Sequence, residues 1–192
     1  MPSSMTHLLC AKILAPDKPT RFFVGSVSPD CIDVREYKDR THFRDIPIDT
    51  RLDALRKMAR SLDLTDDYLY AVVYHLFADY TWDTGPQQLH RDLYKGDNWF
   101  PDYRFAINEC GREIYHRYDW AKTIWDEMAK LDKSEYDLLP EYPADEIYAF
   151  ILRGRDRQLV PLTKPSEIFT PELVDKYAAE TAERFVGFMK TV

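Results

Sequence analysis

The feature that most constrains the fold is an apolar segment of 16 residues, from Tyr68 to Asp83, which reads YLYAVVYHLFADYTWD. A run of this length and apolarity is typical of a core helix. Within it His75, Asp79 and Asp83 follow one another at intervals of four, so their side chains stack on one helical face. A buried carboxylate is costly unless it is paired or bound to a metal. This face therefore predicts either a metal site or a core histidine hydrogen-bonded to an aspartate.

The rest of the chain predicts an all-α fold in a single domain over residues 1–192, with five to seven helices around one core. Alternation typical of strands is scarce, and no glycine-rich phosphate loop of the GxxxxGK[ST] or GxGxxG type occurs. Residues 140–192 are a candidate C-terminal helical elaboration. Helical patterns cover residues 6–15, 49–62, 68–83, 103–130, 145–152 and 171–190, whereas residues 35–47 are predicted as a charged irregular segment and residues 153–157 as a charged turn.

The overall charge and the cysteine pattern narrow the classes of function. A formal charge of −7 opposes long-range attraction to nucleic acid or anionic lipid, because binding to phosphates draws on clustered lysine and arginine. Cys10, Cys31 and Cys110 form no CxxC pair and no even set, which favours structural thiols in a reducing compartment. The pattern predicts neither a secretory signal nor a membrane span. We therefore expect a cytoplasmic protein without a membrane segment.

Four short segments in the first half of the chain contain histidine or aspartate, the residue types that commonly bind metal ions. They are Thr6-His7, the segment GSVSPD that ends at Asp30, the segment THFRD that contains His42, and the segment HLFAD from His75 to Asp79. In this order they resemble the zinc-dependent phospholipase C and S1/P1 nuclease superfamily, and in particular its short bacterial phospholipase C-like branch. The resemblance covers residues 5–84.

The resemblance implies a helical bundle that binds one or two Zn²⁺ ions and hydrolyses a phosphoester with a metal-bound water. One ion would be bound by Asp30, His42, His75 and Asp79, and a second by His7 and a bridging Asp79. Such a pair suits phosphodiester hydrolysis, because one cation activates water while the other stabilises the charge on the phosphoryl oxygens. Asp30 would also be the catalytic general base. The implied substrate is a small phosphoester or a lipid headgroup.

The third metal site of the family has no matching motif in this chain. The nuclease branch places its next histidine six residues after the bridging aspartate, where this chain has Gly85. A later family histidine is followed by a carboxylate four residues on, whereas His116 is followed there by Trp120. The residues that remain as candidates for a further metal site are Asp83, His90, Glu113, His116 and Asp119.

Two other classes of protein share parts of this pattern. HD-type phosphohydrolases are helical and rich in histidine and aspartate, but they need an adjacent His-Asp pair, which this sequence lacks. The alternative to a hydrolase is a non-catalytic helical scaffold or binding protein with at most a structural metal. Tyr94, Trp99, Phe100 and Tyr103 would form a partner surface in such a scaffold, and would line a lipid or nucleobase pocket in an enzyme.

Overall fold

The computed structural model describes residues 2–192, and all regular secondary structure within them is helical. The α-helices are α1 (Ser4–Leu14), α2 (Thr20–Gly25), α3 (Arg35–Thr41), α4 (Arg51–Arg60), α5 (Asp67–Thr84), α6 (Pro86–Leu93), α7 (Trp99–Arg117), α8 (Asp119–Met128), α9 (Ala144–Gln158) and α10 (Pro171–Met189). Short 3₁₀ turns lie at Ser28–Cys31, Ile48–Thr50 and Lys133–Glu135. The predicted all-α class is confirmed, with more helices than the sequence indicates. None of these helices has both the length and the apolarity needed to cross a membrane.

Helix α5 lies at the centre of the molecule and packs against α1, α2, α4, α6 and α10. The side chain of Asp66 caps its N-terminus by accepting hydrogen bonds from the backbone N–H groups of Tyr68 and Leu69. Of its 18 residues, 13 are buried. A helix covered on nearly all sides must place its polar side chains against other buried groups. The position of α5 therefore brings His75 and Asp79 into the interior.

The last two helices close the core from the C-terminal side. Helix α10 packs along α1 and α5, and α9 packs against α7 and α8. The hydroxyl of Tyr177 on α10 donates a hydrogen bond of 2.6 Å to the backbone carbonyl of Ala78 on α5. Phe185 is fully buried and its ring packs against those of Tyr74 and Phe77. These contacts fix α5 on the side away from α2.

The contact between α2 and α5 depends on the absence of a side chain at Gly25. A Cβ atom there would lie 2.4 Å from the backbone oxygen of Tyr68 and 3.0 Å from the Cβ atom of Ala71. Backbone atoms cannot move aside as the end of a flexible side chain can, so the two helices would have to separate. We expect Gly25→Ala to lower the free energy of unfolding by about 2–3 kcal/mol, measured by urea denaturation.

Gly187→Ala in α10 is the matched control, since the added methyl group would meet no atom within 4 Å. The higher helix propensity of alanine is expected to raise the free energy of unfolding there by up to about 1 kcal/mol. If the two substitutions had the same effect, the close approach of α2 and α5 would not contribute to stability.

Two segments predicted as non-helical are helical in the structure. Residues 35–41, in the charged irregular segment, form α3, and residues 153–157 continue α9 instead of forming a turn. No residue of α3 is buried, and an exposed ion pair of 3.5 Å joins Arg35 to Asp39 one helical turn later. A charged composition is compatible with a surface helix, so it is a weak signal for a loop.

The helical region predicted at residues 103–130 consists of two helices. Helix α7 already begins at Trp99, with Pro101 in its first turn, where the missing N–H of proline costs no hydrogen bond. Tyr118 then has extended backbone angles, φ −108° and ψ 118°, and separates α7 from α8. The hydrophobic periodicity of α7 continues into α8 across Tyr118, so the sequence pattern did not indicate that the helix ends there.

The three cysteines are free and buried. Burial raises the pKa of Cys31 and of Cys110 to about 12. At neutral pH both side chains are therefore uncharged thiols, which are poor nucleophiles. Their environment agrees with the predicted structural role.

Candidate metal centre

The five residues predicted to bind metal come together in the interior. His7 lies on α1, Asp30 in the 3₁₀ turn Ser28–Cys31, His42 at the C-terminus of α3, and His75 and Asp79 on α5. Each of them is at most 6% exposed. The imidazole ring of His75 stacks on that of His7, with ring centroids 3.8 Å apart, and meets that of His42 edge-on. Residues from four separate segments thus share one buried space.

The distances between their donor atoms match those around a metal ion. Asp79 Oδ1 lies 3.4 Å from His7 Nε2, while Asp79 Oδ2 lies 3.6 Å from His42 Nε2 and 3.9 Å from His75 Nε2. His42 Nε2 is also 3.8 Å from Asp30 Oδ1. Two ligands of a tetrahedral zinc ion, each ~2.0–2.1 Å from it, lie roughly 3.3 Å apart. The five side chains are therefore close to coordinating distance before any ion is considered.

Two of the imidazoles have a fixed tautomer that leaves Nε2 free to bind. His75 Nδ1 donates a hydrogen bond of 2.8 Å to the backbone oxygen of Ser26, and His42 Nδ1 donates one of 2.8 Å to that of Lys38. Burial lowers the pKa of His42 to about 4 and that of His75 to about 3, so both rings are neutral at pH 7. Metal-bound histidines typically donate their other N–H to a carbonyl in this way.

Five donor atoms of the centre are buried without a hydrogen-bond partner. They are the Nε2 atoms of His7, His42 and His75, and the Oδ1 atoms of Asp30 and Asp79. Buried polar atoms in native proteins are almost always hydrogen-bonded, so five such atoms in one place without a hydrogen bond indicate a bound group. A divalent cation is such a group, and nitrogen and carboxylate oxygen are ligands that zinc prefers. The residues present therefore fit zinc.

Two cationic side chains hold the carboxylates of the centre from the outside. Lys38 Nζ lies 2.7 Å from Asp30 Oδ1, although outside hydrogen-bond geometry, and donates a hydrogen bond to the Asp30 backbone oxygen. Arg44 Nη2 donates to Asp79 Oδ2 at 3.0 Å, and its Nε donates to Asp83 Oδ2 at 3.0 Å. Burial alone would raise the pKa of Asp30 and Asp79, but these charges outweigh it and hold both pKa values below the usual range. Both carboxylates are therefore ionised and ready to bind a metal.

The backbone after α3 turns His42 and Arg44 toward the same centre. Phe43 has a left-handed conformation with φ 56°, which is uncommon for a residue with a bulky side chain. The N–H of Arg44 donates to the oxygen of Asp39 at 2.7 Å, and the N–H of Phe43 donates to the oxygen of Arg40 at 3.1 Å. This pair of bonds closes the helix as a Schellman motif and reverses the chain. Strain of this kind is often found at functional sites.

The five candidates for a further metal site either make other contacts or are at least partly exposed. Asp83 is ion-paired with two arginines, and His90 packs among four aromatic rings. His116 and Asp119 are exposed, and Glu113 is half-buried. Within residues 2–192, only two groups of three such ligand atoms lie within 4.8 Å of one another: His7, His75 and Asp79, and Asp30, His42 and His75. None of these five candidates belongs to either group.

Lys38 and Arg44 were not predicted as residues of the site. Arg44 belongs to the THFRD segment, and Lys38 precedes His42 by one helical turn, so both lie close in sequence to a predicted ligand. A basic residue near a predicted ligand is a possible signal, but surface lysines and arginines are too common for it to be decisive. Their roles become visible only when the carboxylates they contact are located.

Two cavities lie beside the centre. One has a volume of 390 Å³ and is lined in part by Asp30 and Lys38. The other has a volume of 680 Å³ and is lined in part by Lys38 and Arg44. The ammonium group of Lys38 therefore lies between a predicted metal ligand and open space. A small molecule in either cavity would reach the edge of the centre.

No family model, curated protein or solved structure matches this chain. The chemistry open to this centre follows from its donor atoms, their charges and the cavities beside them.

Proposed function

We propose that this protein is a zinc-dependent hydrolase of a small phosphoester, with the phospholipase C/P1 nuclease type of fold. The observation that carries the proposal is the group of five buried donor atoms that make no hydrogen bond, beside two cationic side chains and an open cavity. The all-helical architecture and the order of the four sequence motifs support the same family. The overall charge of −7 favours a small substrate over a nucleic acid.

In this proposal the residues that would hold zinc are the two overlapping groups, one of His7, His75 and Asp79 and one of Asp30, His42 and His75. When bound, zinc lowers the pKa of a coordinated water and so supplies hydroxide near neutral pH. His75 belongs to both groups, and its Nε2 has a single lone pair, so His75 binds one ion. A second ion would depend on His7 and on Oδ1 of Asp79. We therefore expect one to two zinc ions per chain.

The charge balance of the centre favours an anionic substrate. Three carboxylates are matched by three cationic side chains, which makes the centre close to neutral without a metal; they are Asp30, Asp79 and Asp83 on one side and Lys38, Arg44 and Arg51 on the other. A divalent ion leaves an excess of positive charge. In a partly buried site such an excess attracts a phosphate strongly, because the low dielectric weakens screening.

Lys38 and Arg44 then act on the phosphoryl oxygens, and Asp30 acts on the attacking water. Both cations line the larger cavity, so their N–H groups can donate to the oxygens on which negative charge develops. Asp30 accepts a hydrogen bond from the water and orients it. The lowered pKa of Asp30 keeps its carboxylate ionised, which favours metal binding and the orientation of water. Its role as general base stays a prediction.

The alternative, a non-catalytic scaffold, explains part of the same geometry. Lys38 and Arg44 neutralise Asp30 and Asp79 without any metal. That reading leaves three imidazole nitrogens buried with no partner, and such atoms are rare in native proteins. A metal ion would satisfy these nitrogens in a scaffold with a structural metal as well as in an enzyme, so the cavities beside Lys38 and Arg44 are what favour the hydrolase.

We expect the zinc-loaded protein to hydrolyse bis(p-nitrophenyl) phosphate, and chelation by EDTA to reduce the rate to background. Lys38→Met is expected to lower kcat/KM by at least about tenfold, because it removes a charged donor to the phosphoryl oxygens. The rates are followed by the absorbance of released p-nitrophenolate.

Lys57→Met is the matched control, since Lys57 is exposed on α4 and lines neither cavity. This variant should keep the wild-type rate. If zinc-loaded protein turned over no phosphodiester and no phosphomonoester, the scaffold would become the better description.

A further inference from the structure

The two cavities beside the metal centre are adjoining parts of one cleft. Both are lined by Asp33, Lys38 and Arg104. The larger one extends along α6 and α7, where Arg91 and Trp99 form its wall. With a volume of 680 Å³, this part alone holds a ligand much larger than a phosphate group.

Most cations of the larger cavity already have a carboxylate partner. Arg44 and Arg51 both pair with Asp83, and Lys38 pairs with Asp30. Arg35 pairs with Asp39, and the two cations that remain, Arg91 and Arg104, make no ion pair within residues 2–192. Their guanidinium groups are available to an anion from outside the chain.

The aromatic residues of α7 hold one of these arginines in place. The guanidinium carbon of Arg91 lies 4.0 Å from the centre of the Trp99 ring, within the range of a cation–π contact. Trp99 in turn stacks on Tyr103, with ring centroids 4.9 Å apart. A guanidinium group stacked on a ring keeps its N–H donors at the edge free to bind an anion. Arg104 lies on α7 one residue after Tyr103 and lines the same cavity as Arg91.

We infer that the substrate carries a second anionic group, a carboxylate or a phosphate, which Arg91 and Arg104 bind while the first phosphate lies at Lys38. The identity of the first phosphate rests on the proposed function, whereas the second group rests on the two unpaired arginines alone. The apolar surface of Trp99 and Phe100 lines the same cavity and would contact the part of the substrate that joins the two anions. A substrate with a cationic headgroup is disfavoured by the same two charges.

Binding of phosphonates tests this inference without requiring turnover. Alkyl phosphonates of three to six carbons are compared with ω-phosphonocarboxylates and with α,ω-diphosphonates of the same lengths, by calorimetry on zinc-loaded protein and on protein in EDTA. Flexible chains of several lengths are used so that the two anions can adapt to the cleft. We expect at least one ligand with two anionic groups to bind tenfold or more tightly than its matched alkyl phosphonate.

That advantage should fall at least about tenfold in Arg91→Gln and in Arg104→Gln, because each substitution removes one charge-assisted contact. Arg184→Gln is the matched control, since Arg184 is exposed on α10 and lines neither cavity. Equal affinities within every matched pair, or an advantage that both variants retain, would overturn the inference. If the protein preferred ligands with two anionic groups but hydrolysed no phosphoester, the proposed hydrolase activity would be wrong, whereas the anion site at Arg91 and Arg104 would be supported.

Discussion

The affinity for zinc is expected to fall at least about 100-fold when Asp79 is replaced by asparagine. One oxygen of Asp79 faces His7 and the other faces His42 and His75, so this carboxylate lies within 3.9 Å of all three imidazole nitrogens. Asparagine keeps the shape but lacks the negative charge that a cation requires. Zinc content after dialysis is measured by elemental analysis, and zinc affinity by competition with a chelating dye.

Thermal unfolding gives an independent measurement of the same binding. Zinc at 100 times its Kd should stabilise the wild-type protein by about 2.7 kcal/mol, because it binds the folded state and scarcely the unfolded one. Asp79→Asn and His75→Ala should lose most of this gain. Asp92→Asn, an exposed substitution on α6, should keep all of it. The proposed metal centre would be wrong if purified wild-type protein contained no zinc and added zinc did not change its melting temperature.

The predicted ligands on α5 were the part of the centre that local sequence could indicate. His75 and Asp79 are one helical turn apart, so any helix through this segment places them on the same face, whatever surrounds it. Their neighbours His7, Asp30 and His42 lie on other segments, and no periodicity relates them to α5. They were assigned through the family resemblance, and the packing of α1 and α2 against α5 is what brings them into contact.

His42 shows why local signals fail at such a site. A histidine in a charged segment is expected at the surface, yet the side chain of His42 is inaccessible to solvent. Its burial follows from the left-handed Phe43, which turns the chain back toward α5. Such a conformation is usually marked by glycine or asparagine, and Phe43 gives no such signal. The reversal is set by tertiary contacts, since Phe43 packs against the core.

The basic cleft was hidden from the sequence for a different reason. A net charge of −7 describes the whole surface, whereas Arg44, Arg91 and Arg104 come from separate segments that meet only after α6 and α7 have folded over α5. Charge along the chain and charge around a cavity are independent quantities. An acidic chain can therefore contain a local site for an anion.

Protein stripped of metal is expected to lose stability steeply as the pH falls from about 6.5 to 4. Burial lowers the pKa of His42 to about 4 and that of His75 to about 3, whereas a histidine in the unfolded chain titrates near pH 6.5. Between these values the unfolded state binds more protons than the folded state. Unfolding is then favoured by each step toward lower pH, by up to about 2.7 kcal/mol per pH unit when both histidines contribute.

Denaturation by urea in EDTA, repeated at half-unit intervals of pH, measures this slope. The double variant His42→Gln with His75→Gln should show a smaller slope between pH 6.5 and 4, whereas His116→Gln, at an exposed position, should not change it. Below about pH 4 a second loss is expected in both proteins. The pKa values of Asp30 and Asp79 are lowered in the folded state, so these carboxylates stay ionised there at a pH where the unfolded state already binds protons. The stability that they contribute is therefore lost as the pH falls through this range. A wild-type slope equal to that of the double variant would mean that the two imidazoles are protonated, or exposed, in the folded protein, and zinc could not then bind them as ready-made neutral ligands.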